Sequence, residues 1–262
     1  MKLSTLLYEK HGPVCTITMS RPEVLNAYNL QMVDELRQVW WDFRDDDSLH
    51  VAILTGAGER SFSTGLDAKE IIEKPFASPS LVYAGVPTLT ARDFQVWKPV
   101  IAAVNGVCCA GGWHFISDAD IVVCSENATF FDTHVEVGLV NPVEAVDLMS
   151  KVPPGEVMRM VLCGRDYRMT AQRALQVGLA TEVVPLNELI STAMTIAGQI
   201  AKKSPGAVAG SLEVMWSALN SRRTPSYPLG MALLNRDMLS QDRREGFDAF
   251  VQKRKPQWSD RT

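Results

Sequence analysis

Two segments of this chain have a makeup that could do chemistry with main-chain groups alone. One is VAILTGAGERSFSTGLDAKE, starting at Val51; the other is VIAAVNGVCCAGGWHFISDAD, starting at Val100. Each passes from an apolar run through a turn to a small-residue junction ahead of a helix-like stretch. Gly65, Gly111 and Gly112 at the junctions carry no side chain, so a ligand can come close to the backbone. The N–H groups of a helix's first turn have no internal partner, and the helix dipole adds positive potential there. Two such helix starts aimed at one point would hold a developing oxyanion, such as that of a thioester ionised beside its carbonyl. One pre-oriented donor of this kind is worth about 3–4 kcal/mol. Either segment taken alone also reads as an ordinary strand-to-helix turn.

The elements that must position these junctions follow from hydrophobic pattern. Residues 14–19, 51–55 and 100–104 read as strands, the last two continuously apolar as strands buried on both faces should be. Residues 30–43 place apolar side chains near the 3.6-residue period and read as a helix. Alternating strands and helices predict an α/β fold. Residues 121–124 and 128–131 read as a second strand pair joined by a turn at 125–127. The Pro- and Ser-bearing stretch 74–86 reads as a loop beside a site or as a tolerated insertion. From Thr170 the pattern turns helical, over 170–177, 186–203, 206–219 and 229–251, with Thr170 and Ser204 as candidate caps.

Composition narrows the function classes. The chain has 262 residues and a net charge of −4. That length allows one large α/β domain with an appendage, and an acidic balance argues against general nucleic-acid binding. Five cysteines, an odd number without a CxxC, read as mostly buried thiols of a reducing compartment. The apolar stretch near the N-terminus is interrupted by Glu9 and Lys10, too early for a signal peptide. No apolar run reaches the roughly 18 residues of a membrane span, so a cytoplasmic location is expected. No HExxH or third ligand supports a metal site, and no GxSxG supports a serine hydrolase.

SFSTGLDAKE, followed about 40 residues later by AAVNGVCCAGGWHFISDADIVVCSENATF, resembles the crotonase (enoyl-CoA hydratase/isomerase) superfamily. RPEVLNAY, CGRDYRMTAQRALQVGLATEVVP and REGFDAFVQKRKP extend the resemblance, in the family's order, over nearly the whole chain. It implies a spiral of ββα repeats, with a core over 1–200 and a helical trimerisation region over 201–262, the trimers often pairing into hexamers. It implies an acyl-CoA substrate, no permanently bound cofactor, and oxyanion donors at the backbone N–H groups of Leu66 and Gly111. The coenzyme A contacts then fall on Val24, Leu25, Ala27, Thr64, Asp67, Ala68 and Lys69. Phe250 and Lys253 match positions through which a neighbouring subunit reaches the nucleotide.

The two glutamates that handle water in a typical family member are replaced here by His114 and His134. Histidine suits acid–base work near neutral pH, though a buried histidine is also often just a hydrogen-bonded core residue. Asp118, four residues after His114, is a candidate to orient that ring, or else a surface acid of the helix. Glu144, in a stretch where family members often add an acid or base, is a candidate relay partner for His134, or else a first-turn helix acid. Asp132 and Glu136 are further candidates, while Trp113, Trp97, Phe76 and Tyr83 are candidates to shape the acyl pocket. The leading expectation is an enoyl-CoA hydratase or isomerase. The alternatives are a β-dicarbonyl carbon–carbon hydrolase using histidine–carboxylate chemistry, and a degenerate acyl-CoA-binding protein without turnover.

Overall fold

The runs VAILTG and VIAAV are buried along their whole lengths, and both lie inside one sheet of the computed structural model. Residues 1–67, 69, 82–83, 86–141, 143–220, 223–238 and 240–259 are described. In chain order the strands are β1 (Leu6–His11), β2 (Val14–Met19), β3 (Val51–Gly56), β4 (Ser61–Ser63), β5 (Val82–Tyr83), β6 (Val86–Pro87), β7 (Val100–Val104), β8 (Val107–Cys109), β9 (Ile121–Ser125), β10 (Thr129–Phe131), β11 (Met169–Thr170) and β12 (Glu182–Val184). The helices are α1 (Leu30–Asp45), α2 (Trp113–Asp118), α3 (Glu144–Leu148), α4 (Pro154–Cys163), α5 (Ala171–Val177), α6 (Leu189–Ala201), α7 (Pro205–Asn220), α8 (Arg223–Met238) and α9 (Gln241–Gln252).

A six-stranded sheet runs in the order β1-β2-β3-β7-β9-β12, and a four-stranded sheet in the order β11-β10-β8-β4. The period of two along β3 sends alternate side chains to opposite faces. Val51 and Ile53 join Ile101, Ala103 and Val123 under Leu189, Ala193 and Ala197 of α6. Ala52 and Leu54 face the larger core, which α1 closes with Met32, Val33, Leu36, Val39, Trp40 and Phe43. The Asn29 side chain caps α1 by accepting from the Met32 N–H, and Thr170 and Ser204 cap α5 and α7 as expected.

The structure corrects two readings. β9 and β10 do not pair: β9 lies between β7 and β12 in the large sheet, and β10 lies between β8 and β11 in the small one. The turn after Ser125 therefore carries the chain from one sheet to the other rather than closing a hairpin. The single helix expected over 229–251 is two, α8 and α9, with Ser240 accepting from the Arg243 N–H at the start of the second. Four cysteines are buried, but Cys163 at the end of α4 is exposed. Within the stretch 74–86, Val82–Tyr83 pairs with Val86–Pro87; the rest lies outside the described residues. Among the described residues no helix is long and apolar enough to cross a membrane.

Candidate active site

β4, β8 and β10 run parallel, with Ser63 beside Cys108 and Phe131 beside Cys109. Their carboxyl ends open on one side, where parallel α/β sheets commonly receive ligands. The chain leaves these strands into residues 64–66, into the 3-10 turn Ala110–Gly112, and into residues 132–134.

The first two exits present main chain. Gly65 is left-handed at φ +84°, and a Cβ there would stand 2.6 Å from Gly111 N. A Cβ on Gly111 would in turn stand 2.4 Å from the Tyr28 hydroxyl oxygen. The two junctions thus touch, and each requires glycine because another group fills the space of its side chain. The Tyr28 N–H donates to Gly65 O and the Asp67 N–H donates to Tyr28 O, both at 2.8 Å. In this parallel bridge between Tyr28 and Leu66, the N–H of Leu66 itself points away from Tyr28. Gly111 lies in the first turn of its 3-10 helix, where an N–H has no acceptor within the helix.

The loop over 21–27 closes against the first junction. Leu25 and Asn26 both take positive φ, and buried Asn26 donates to Ala57 O and Ser61 O. Arg21 donates to Ala27 O at 2.7 Å and to Asp67 Oδ2 at 3.0 Å. The Thr64 hydroxyl donates to Leu25 O at 3.4 Å. The structure therefore brings together Leu25, Ala27, Thr64 and Asp67, with Val24 exposed on the same loop. Lys69 and Lys253 stand exposed outside this bonded group. Ala68, Phe76 and the side chains of Tyr83 and Phe250 lie outside the described residues.

The third exit presents side chains. The His134 ring lies with Nδ1 2.8 Å from Oδ1 of fully buried Asp132, and the His134 backbone N–H donates to Asp132 Oδ2 at 3.1 Å. His134 Nε2 is 3.9 Å from Glu144 Oε1, and that same oxygen is 3.1 Å from His114 Nε2. Glu144, almost wholly buried, opens α3, and α3 packs on α2, which carries His114. Asn141 ties the cluster together. It donates to Asp132 Oδ1 at 3.3 Å, and its own Oδ1 accepts from the Ala145 N–H at 3.0 Å, at the start of α3.

This environment drives the two central groups toward their charged forms. The hydrogen bond to Asp132 holds the His134 imidazolium above its usual range, against the opposing effect of burial. Burial alone would raise the Glu144 carboxyl, but the hydrogen bond from His114 and the charges of both histidines bring it below the usual range.

Several expectations change. Glu144 is held by His114 more closely than by His134, whose tight partner is Asp132. Asp118 neither orients His114 nor sits free on the surface; it accepts from the Arg92 N–H, and burial pushes its carboxyl up to about 7. Glu136 turns away to accept from Arg165. Trp113 is fully buried in the core, and Trp97 stacks with Arg92. Asn141, Arg21 and Tyr28 were not singled out from the sequence. For Asn141 a signal existed, since an Asn three residues ahead of a Glu resembles a helix-start box.

The comparisons with known proteins agree with this architecture. The sequence model of the enoyl-CoA hydratase/isomerase family matches residues 9–261. Carnitinyl-CoA dehydratase of Proteus mirabilis is 38% identical over 255 residues, covering 95% of this chain and 96% of that protein. The Citrobacter koseri protein of the same name is 35% identical, covering 98% of this chain and 99% of its own. The crystal structure of an enoyl-CoA hydratase/isomerase from Mycobacterium paratuberculosis superimposes with a TM-score of 0.90 at 36% identity, over 99% of both chains. That of an enoyl-CoA hydratase from Mycobacterium tuberculosis gives a TM-score of 0.88 at 27% identity, over 98% of this chain and 99% of the other. From β1 to the last helix, then, this chain belongs to the enoyl-CoA hydratase/isomerase family of the crotonase superfamily.

Proposed function

We propose that the protein adds or removes water across the α,β bond of an acyl-CoA thioester, through an enolate held by the backbone N–H groups of Leu66 and Gly111. The observation that carries this reading is the position of Glu144 Oε1, 3.9 Å from His134 Nε2, with the two groups pushed in opposite directions. Environments that separate two titratable groups in this way mark an acid and a base. In the elimination direction the Glu144 carboxylate takes the α-proton, and the electron pair moves onto the thioester oxygen. The enolate then collapses and expels the β-hydroxyl, which leaves as water with the proton of His134. Neutral His134 and protonated Glu144 run the same steps backward for hydration. Asp132 keeps the Nδ1 proton of His134 in place and stabilises the imidazolium, so that Nε2 does the transfer. His114 holds Glu144 in its ionised form.

The names of the relatives, carnitinyl-CoA dehydratase, favour the elimination direction. On this reading Val24, Leu25, Ala27, Thr64, Asp67, Ala68 and Lys69 line the path of coenzyme A. Phe250 and Lys253 reach the nucleotide of a neighbouring subunit, and residues 201–262 form the layer that builds a trimer or a pair of trimers. Loss of the conjugated-thioester absorbance of crotonyl-CoA tests the chemistry. Turnover that disappears in Glu144→Gln and in His134→Ala is the expected result. Full turnover in either variant overturns the assignment of that residue.

The His134–Asp132 dyad also suits a second reaction, hydrolysis of a β-dicarbonyl carbon–carbon bond. There His134 takes a proton from water, the hydroxide adds to the β-carbonyl, and the carbon–carbon bond breaks to leave the enolate. Release of a carboxylic acid from a β-ketoacyl-CoA, with crotonyl-CoA left untouched, would select that reaction.

A further inference from the structure

Tyr28 lies where the main-chain and side-chain parts of the site meet. Its backbone fixes the first junction through Gly65 and Asp67, and its ring crosses the second. The hydroxyl occupies the space a side chain at Gly111 would need, 2.4 Å from the ideal Cβ position, with Cε1 and Cζ 3.1 Å away. The ring stands edge-on to Phe115 of α2, with centroids 6.1 Å apart. Packing therefore accounts for the ring, and a phenylalanine would pack as well.

The hydroxyl is not accounted for in that way. The residue is 3% exposed, yet among the described residues no group accepts from its O–H. Nor is it sealed away. Among the described residues the partnerless polar atoms cut off from free space are Arg37 Nε, Thr88 Oγ1, Arg92 Nε and Trp113 Nε1, and the Tyr28 oxygen is not one of them. It stands against Gly111, in the space that residue's missing side chain leaves, and within electrostatic reach of Glu144. Burial and the Glu144 charge both push the phenol up, so it keeps its proton and serves as a donor.

We propose that Tyr28 is a substrate-contacting residue whose O–H donates a third hydrogen bond to the developing enolate, beside the Gly111 N–H. The inference rests on the enolate reading above. It adds a side-chain donor to a hole otherwise made of main chain. The donor is felt only when charge builds on the substrate, so its removal lowers the rate of enolate formation and leaves coenzyme A affinity alone.

Exchange of the α-protons of butyryl-CoA in deuterated water, read by mass spectrometry, isolates that step because butyryl-CoA has no β-leaving group. Wild type is expected to exchange, with Glu144→Gln silent. Tyr28→Phe is expected to exchange about 10- to 100-fold more slowly, the range for one hydrogen bond to a charged group. Its coenzyme A affinity and thermal midpoint are expected to be unchanged. Wild-type rates in a folded Tyr28→Phe overturn the inference and leave the enolate reading standing. A Tyr28→Phe that loses thermal stability in step with exchange assigns Tyr28 to packing and overturns it as well. Absence of exchange in wild type, with coenzyme A still bound, sinks the enolate reading and this inference with it.

Discussion

The main-chain half of the site and the side-chain half are built on opposite terms. Around Gly65 and Gly111 the working surface exists because side chains are missing, and the nearest atoms already fill the space a methyl would take. Around His134 and Glu144 the surface consists of side chains, each gripped by another: Asp132 on His134, His114 on Glu144, Asn141 on Asp132. One half should therefore fail when an atom is added, the other when atoms are removed.

The largest expected effect is on the side-chain half. His134→Ala should lower kcat about 10²- to 10⁴-fold, the usual contribution of a general acid or base, with KM for acyl-CoA nearly unchanged. Gly65→Ala should follow, at about 10²- to 10³-fold in kcat, since its methyl would strike Gly111 N and its backbone is left-handed. Chemical denaturation of that variant should also show a loss of about 1–3 kcal/mol at every pH, whereas any loss in His134→Ala should shrink as pH rises through the raised His134 value, where the histidine's charge no longer contributes. If both variants lower kcat and stability alike, the contrast between the halves is wrong.

Asp132→Asn sharpens the comparison through pH. On the proposed mechanism, elimination needs Glu144 ionised and His134 protonated. Its rate should fall as pH drops through the lowered Glu144 value, and again as pH rises through the raised His134 value. Without Asp132 the alkaline limb should move to lower pH and the acid limb should stay. Stability follows the same sign. The contribution of His134 is complete below its ordinary value of about 6.5, and it is lost as pH rises through the raised one. The smallest effect should come from Arg21→Lys, which replaces the fork between Ala27 O and Asp67 by a single point charge. KM for acyl-CoA should rise up to about tenfold, with kcat unchanged.

The main-chain half was largely legible in the sequence, because glycine spacing and apolar runs report backbone geometry directly. That Gly65 and Gly111 meet is a long-range contact the runs do not encode; only the resemblance to the family, with its paired donors at Leu66 and Gly111, anticipates it. The side-chain half was legible only in its parts. His114, His134 and Glu144 were candidates, but which carboxylate holds which ring depends on α3 packing against α2 and on the Asn141 bridge. No local pattern encodes either contact. Asp132 reads in the sequence only as one further candidate beside Glu136, because two-residue spacing says little until backbone and ring both bond back to it. The strand pair misread at 121–131 shows the same limit: period and turn chemistry mark strands, but the sheet each joins is a long-range choice.

The parallel register of β4, β8 and β10 gives the candidate site a ruler. Strands advance about 3.3 Å per residue. A slip that kept the buried faces buried would have to be two residues long, which displaces His134 from Gly111 by about 6.6 Å. No rotamer change makes up that distance. Length changes in the crossover turn after Ser125 are thus tolerable so long as Phe131 stays opposite Cys109. A single residue inserted between Phe131 and His134, with no strand after it to absorb the shift, would move His134 out of its place beside Glu144 and, on the proposed mechanism, out of reach of the substrate.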